Sequence, residues 1–144
     1  MQVQHILKSK ADDAVVTVQP GSTVQAAADV LAKRKIGSVV VSKDGQTALG
    51  ILSERDIVRE ISQRGAAVLS DPVEDLMTSK LVSCTRDATA DSVLATMTEK
   101  RFRHMPVVED GQMVGLITLG DVVKARMAEL SMEKDALAGM IMGH

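Results

Sequence analysis

Aromatic residues are nearly missing: a single Phe, no Trp and no Tyr occur among 144 residues. Binders of single-stranded nucleic acid stack bases on such rings, so that class has no platform here. The interior must be filled by Val, Ile, Leu, Ala and nine Met instead. Cysteine is as scarce. Cys84 stands alone, which excludes a disulfide framework and any Cys-x-x-Cys metal or redox pair. No stretch approaches the roughly 18 consecutive apolar residues of a membrane span. Met1-Gln2-Val3-Gln4-His5 also lacks the charged-then-apolar order of a signal segment, so the expectation is a soluble cytoplasmic protein with a reduced thiol. Net charge is −2, and no run of Lys or Arg is long enough to follow a phosphate backbone, which argues against a general nucleic-acid binder.

What the chain does have is self-similarity. Val16-Thr17-Val18 is echoed by Val82-Ser83-Cys84, Thr23 by Thr89, Leu31 by Met97, Ile36 by Phe102, Val41 by Val107, and Asp44-Gly45-Gln46 by Asp110-Gly111-Gln112, all 66 positions apart. One residue is then dropped, and at a spacing of 65 Gly50-Ile51-Leu52-Ser53 matches Gly115-Leu116-Ile117-Thr118, and Asp56-Ile57-Val58 matches Asp121-Val122-Val123. The chain is two halves of one design.

The first half reads as a short strand Val15 to Val18, a turn at Pro20-Gly21, and a helix from Ser22 with Val24, Ala27, Ala28 and Leu31 on one stripe. An apolar strand Val39-Val40-Val41, a hairpin at Lys43-Asp44-Gly45, and a strand ending at Leu52 follow, and Ser53 opens a second helix towards Arg64. The second half repeats this order. Pro106 in its middle strand predicts an amide position that faces away from a ladder partner. A short apolar helix precedes each half, carrying Val3, Ile6 and Leu7 in one case and Val73, Leu76 and Met77 in the other, and Arg64 to Asp71 reads as a loop. The fold class is therefore α/β (α+β), with tandem βαββα repeats: residues 1–64 as the first repeat with its leading helix, 65–72 as linker, 73–126 as the second repeat with its leading helix, and 127–144 as a helical tail. In that tail Val123, Met127, Leu130, Leu137 and Ile141 keep a heptad step interrupted by Lys134, which fits either a helix lying on its own module or a helix pair across a dimer.

Ser53-x-x-Asp56 and Thr118-x-x-Asp121 each fall where a strand turns into a helix. One reading is a capping box, worth about 0.5 to 2 kcal/mol for the cap. The other is a helix amino terminus that attracts phosphate, with an acid beside it able to accept both hydroxyls of a ribose. Catalytic arrangements find little support. Gly45 to Gly50 has Walker-like spacing, but Ile51 and Leu52 stand where Lys and Ser or Thr are required. His5, His104 and His144 are scattered, and Cys84 takes the place of Val18 in the repeat, a core position. The pair Asp12-Asp13 reads as a solvated loop.

The βαββα order, the twice-occurring Gly-apolar-apolar-Ser/Thr-x-x-Asp pattern and the strand Arg103-His104-Met105-Pro106-Val107-Val108 together resemble a pair of CBS domains, from about Val3 to Lys124. The resemblance implies a pseudo-twofold Bateman module, a homodimer of two such modules, and an adenine nucleotide as ligand (AMP, ADP, ATP or NADH, with S-adenosylmethionine also accepted in the family). No catalytic cofactor and no enzymatic activity are implied. By the same resemblance Ser53 or Thr118 binds phosphate or ribose oxygen and Asp56 or Asp121 holds the ribose. Arg103 and His104 then reach the ligand of Asp56, Gly37 and Ser38 that of Asp121, while Val82 lines the adenine slot of the Asp56 pocket and Val16 that of the Asp121 pocket. Arg55 adds a phosphate contact or is a solvated first-turn residue. The competing reading is a structural dimerisation module with empty pockets, and an effector protein is left unnamed.

Overall fold

The computed structural model describes residues 1–10 and 15–141; the Asp12-Asp13 pair and His144 lie outside them. The chain opens on helix α1 (Val3–Ser9), which buries Val3, Ile6 and Leu7. The first repeat then runs β1 (Thr17–Val18), α2 (Val24–Arg34), β2 (Ser38–Val41), β3 (Gly50–Ser53) and α3 (Glu54–Arg64). Thr23 caps α2 by accepting the Ala26 amide, so that helix starts at the first residue of its stripe, two residues after the expected opening at Ser22. The sheet order is β1-β2-β3, parallel between β1 and β2 (Thr17 opposite Val40) and antiparallel between β2 and β3 (Val41 opposite Gly50). All four residues of β2 are buried, the apolar run Val39-Val40-Val41 together with Ser38. The predicted loop after α3 contains a 3₁₀ turn (Ala66–Ser70) that buries Val68, and a second such turn (Val73–Asp75) buries Val73.

The second repeat contributes α4 (Ala90–Lys100), the hairpin β4 (His104–Glu109) and β5 (Gln112–Thr118), and α5 (Leu119–Ile141). Its first strand is reduced to one parallel bridge between Cys84 and Val107, the Cys84 amide donating to the Pro106 carbonyl at 3.0 Å. The reason is covalent. In the first repeat the Val40 N–H donates to the Val16 carbonyl at 3.0 Å, and Pro106, at the position equivalent to Val40, has no N–H to offer. Proline here is buried and faces the short strand, so it truncates that ladder instead of lying on an open edge.

The chain packs as two compact units whose membership departs from chain order. One joins the first repeat to both 3₁₀ turns and the hairpin tip Val108–Val114; the other joins α1 to Ser83–Val107 and the described residues from Gly115. Each leading segment thus packs on the repeat that it does not precede. Matching hydrogen bonds hold them. Val3 N–H donates to Ala88 O at 2.8 Å and Ala90 N–H to Met1 O at 2.8 Å, while Val73 N–H donates to Ser22 O at 2.8 Å and Val24 N–H to Asp71 O at 2.9 Å. In the first unit the core is Val24, Ala27 and Leu31 of α2 against Val39, Val41, Leu52, Ile57, Val68, Val73 and Leu76. In the second, Val3, Ile6, Ala90, Val93, Met97, Met105, Val107, Ile117 and Val122 are buried.

Helix α5 buries only Val122 and Ala125, near its start. The heptad residues Val123, Met127, Leu130, Leu137 and Ile141 are between 41% and 78% exposed.

Candidate functional site

A strand that runs directly into a helix needs an acceptor for the first free amides, and both repeats supply the same one. Ser53 is the N-cap of α3: its Oγ accepts the Asp56 amide at 3.2 Å, and Asp56 Oδ2 accepts the Ser53 amide at 3.0 Å and the Ser53 hydroxyl at 2.9 Å. At the start of α5, Thr118 Oγ1 accepts the Asp121 amide at 3.1 Å and Asp121 Oδ2 accepts the Thr118 amide at 3.0 Å. The next amide is also consumed: Glu54 N–H donates to Gly37 O at 3.0 Å, and Leu119 N–H to Arg103 O at 2.8 Å. The capping reading is therefore satisfied in full, and it leaves each Asp as a half-buried carboxylate at a helix amino terminus.

The two carboxylates have different cations. Asp56 Oδ1 pairs with Arg59 Nη2 at 3.0 Å, one turn along the same helix, and the Arg59 side chain is 57% exposed. Asp121 Oδ2 pairs with Lys10 Nζ at 2.9 Å, and that ammonium also donates to the Leu116 carbonyl at 3.1 Å. Burial pushes the Asp121 carboxyl up, but the Thr118 amide and then the Lys10 ammonium outweigh it, so it titrates below the ordinary carboxylate range. Lys10 escaped the sequence reading, which gave the Asp121 pocket Thr118, Val16 and the backbone and hydroxyl of Gly37 and Ser38 but no cationic side chain. A signal existed: Val3, Ile6, Leu7 and Lys10 recur seventy positions later as Val73, Leu76, Met77 and Lys80.

Of the other candidate residues, Gly37 and Arg103 meet the signature turn of their own repeat through their carbonyls. The Arg103 side chain is exposed just before β4, and His104, half-buried, opens that strand. Arg55 is exposed in the first turn of α3, Ser38 is buried in β2, and Val16 and Val82 are half-buried. The surface depression lined by Gln19, Pro20 and Lys43 includes none of these.

The family model for the CBS domain matches residues 6–63 and 73–128. The chain belongs to the CBS-domain family. Among curated relatives, the CBS domain-containing protein CBSX3, mitochondrial, of Arabidopsis thaliana is 34% identical, the match covering 98% of this chain and 72% of that protein. Among solved structures, a CBS-domain containing protein from Agrobacterium tumefaciens is 43% identical with a TM-score of 0.83, covering 88% of this chain and 99% of its own. CBSX2, solved in complex with AMP, is 26% identical with a TM-score of 0.70 over 88% of this chain and 96% of its own. The duplicated caps are thus the signature turns of two CBS repeats. No helix among the described residues of this CBS pair is long and apolar enough to cross a membrane.

Proposed function

We propose that this CBS pair is a non-catalytic sensor that binds adenosyl nucleotides (AMP, ADP, ATP or NADH) and signals occupancy to an effector protein. The observation that carries the reading is the twin carboxylate: Asp56 and Asp121 are oriented at helix amino termini by matching caps, with acceptor capacity suited to a ribose diol. The AMP complex of CBSX2 supports the ligand class. In this reading Ser53 or Thr118 meets phosphate or ribose oxygen, and Val82 or Val16 borders the adenine. Arg103, His104 and Arg55 serve the ligand of Asp56, and Gly37 and Ser38 serve that of Asp121. A second copy of the chain is the proposed assembly partner, since Met127, Leu130, Leu137 and Ile141 lie at a heptad step on α5 and are 52% to 78% exposed.

A specific observation also favours the structural alternative: both caps are complete by themselves, and Lys10 already occupies Asp121. Thermal melting with a nucleotide panel separates the two. A ligand that binds only the folded state at about 100 times its dissociation constant adds about 2.7 kcal/mol, a rise of roughly 5 to 11 °C for a domain of this size. If no adenosyl compound moves the midpoint by about a degree, the module is structural.

A further inference from the structure

The two signature carboxylates are built alike but neutralised differently, and the difference comes from the exchanged leading segments. Leu7 and Met77 occupy equivalent places, against Gly115 and Gly50 respectively. Beyond Met77 the chain stays in a backbone bridge: Ile51 N–H donates to Thr78 O at 3.0 Å and Thr78 N–H to Ile51 O at 2.9 Å. Lys80, the counterpart of Lys10, is left exposed. Beyond Leu7 the Lys10 side chain turns inward, and the Leu116 carbonyl, equivalent to that of Ile51, receives an ammonium where Ile51 receives an amide.

We propose that Lys10 makes the Asp121 site selective for anionic adenosyl ligands, those carrying phosphate, over neutral adenosine or a cationic sulfonium such as S-adenosylmethionine. This rests on the reading that Asp121 holds the ribose. An ammonium has three N–H donors, and two are engaged here, on Asp121 Oδ2 at 2.9 Å and Leu116 O at 3.1 Å. Among the described residues the third has no acceptor, and the ligand supplies one. A ribose bonded to Asp121 brings its 5′ substituent close to that charge, and the flexible four-carbon stem lets the ammonium follow a phosphate while remaining on the carboxylate. The Lys10 side chain is only 22% exposed, so salt screens it less than it screens Arg59 on Asp56, at 57%. A cationic 5′ group meets the same ammonium as repulsion.

The test is calorimetry with AMP, adenosine and S-adenosylmethionine on the wild type, Lys10→Gln, Lys10→Arg and Lys80→Gln. Loss of one hydrogen bond to a charged group predicts that Lys10→Gln weakens AMP at one site by about tenfold. Adenosine should change by less than about twofold in the same variant, Lys10→Arg should keep most of the preference, and Lys80→Gln should behave as wild type. Equal losses for AMP and adenosine would make Lys10 a structural prop and overturn the proposal. Should Lys10→Gln fail to fold, the wild type still decides: AMP must bind one site more tightly than adenosine and S-adenosylmethionine do, and equal affinities for the three overturn it. A wild type that binds no adenosyl compound removes the sensor reading and this one with it. Binding that survives Asp121→Ala unchanged at both sites leaves the sensor but removes the Lys10 site.

Discussion

Leu7 lies directly on Gly115: a Cβ on that glycine would come within 2.8 Å of Leu7 Cδ2 and 3.0 Å of Cδ1. Gly50 meets the Met77 side chain in the same manner. The first glycine of each signature is thus the point where an exchanged leading segment closes on the sheet.

Gly115→Ala should therefore destabilise the protein by about 1 to 3 kcal/mol through overpacking. Leu7→Ala costs about 2 to 5 kcal/mol by itself, yet in the double variant the two losses should be less than additive because the truncated Leu7 makes room. Urea unfolding of the four proteins measures the coupling, and additive losses would mean that Gly115 is not held by Leu7.

Asp56→Ala and Asp121→Ala should each weaken AMP about ten- to a hundredfold at their own site, the value of a hydrogen bond to a charged group. Wild type should also discriminate against 2′-deoxy-AMP, and that discrimination should shrink in the variants. A residue that only caps a helix gives another result: about 1 kcal/mol of stability lost without ligand and unchanged affinity in what remains folded. Both quantities can be measured on one preparation.

The Asp121 carboxyl titrates below its unfolded value, so the unfolded chain takes up a proton first as pH falls. The stability it contributes is complete above the ordinary carboxylate range and is lost as pH falls through the lower folded value. Asp44 behaves likewise at the hairpin turn, where the amides of Thr47 and Gln46 bring it down to about 2. Carbon-detected NMR titration should place both carboxyls below the ordinary range, and Lys10→Gln should raise Asp121 while leaving Asp44 in place.

Lys35 ends α2 in the left-handed region at φ 55°, and Arg101, its repeat partner, ends α4 at φ 60°. A side chain pays for that conformation where glycine does not. Lys35→Gly should stabilise the protein by about 0.5 to 1 kcal/mol, less whatever the freer unfolded chain gains. A loss of stability on thermal unfolding would show that the lysine stem packs usefully.

Leu130→Glu with Leu137→Glu puts charge into the exposed α5 stripe without touching the buried Val122 and Ala125. If a second copy covers that face, sedimentation should show the wild type associating and the variant not, with the monomer's helix content kept. An unchanged sedimentation coefficient would assign the stripe no role in self-association.

Local pattern made most of the architecture legible. The repeated order of elements, the caps at Ser53 and Thr118, and a long helix after Asp121 all follow from periodicity, turn residues and spacing, because these act over a few neighbouring residues. The internal repeat named the equivalent positions by itself. Partner choice over long distances was decided by tertiary packing. Chain order places α1 with the first repeat, yet its apolar face is buried on the second, since Ala88, Ala90 and Gly115 offer its backbone donors, acceptors and a bare glycine surface. That exchange carries Lys10 to a carboxylate 111 positions away, a pairing that no window of sequence contains. Pro106 shows the two levels together: its missing N–H is written in the sequence, but only the register of β4 against Cys84 determines that a strand, not a solvent edge, bears the loss.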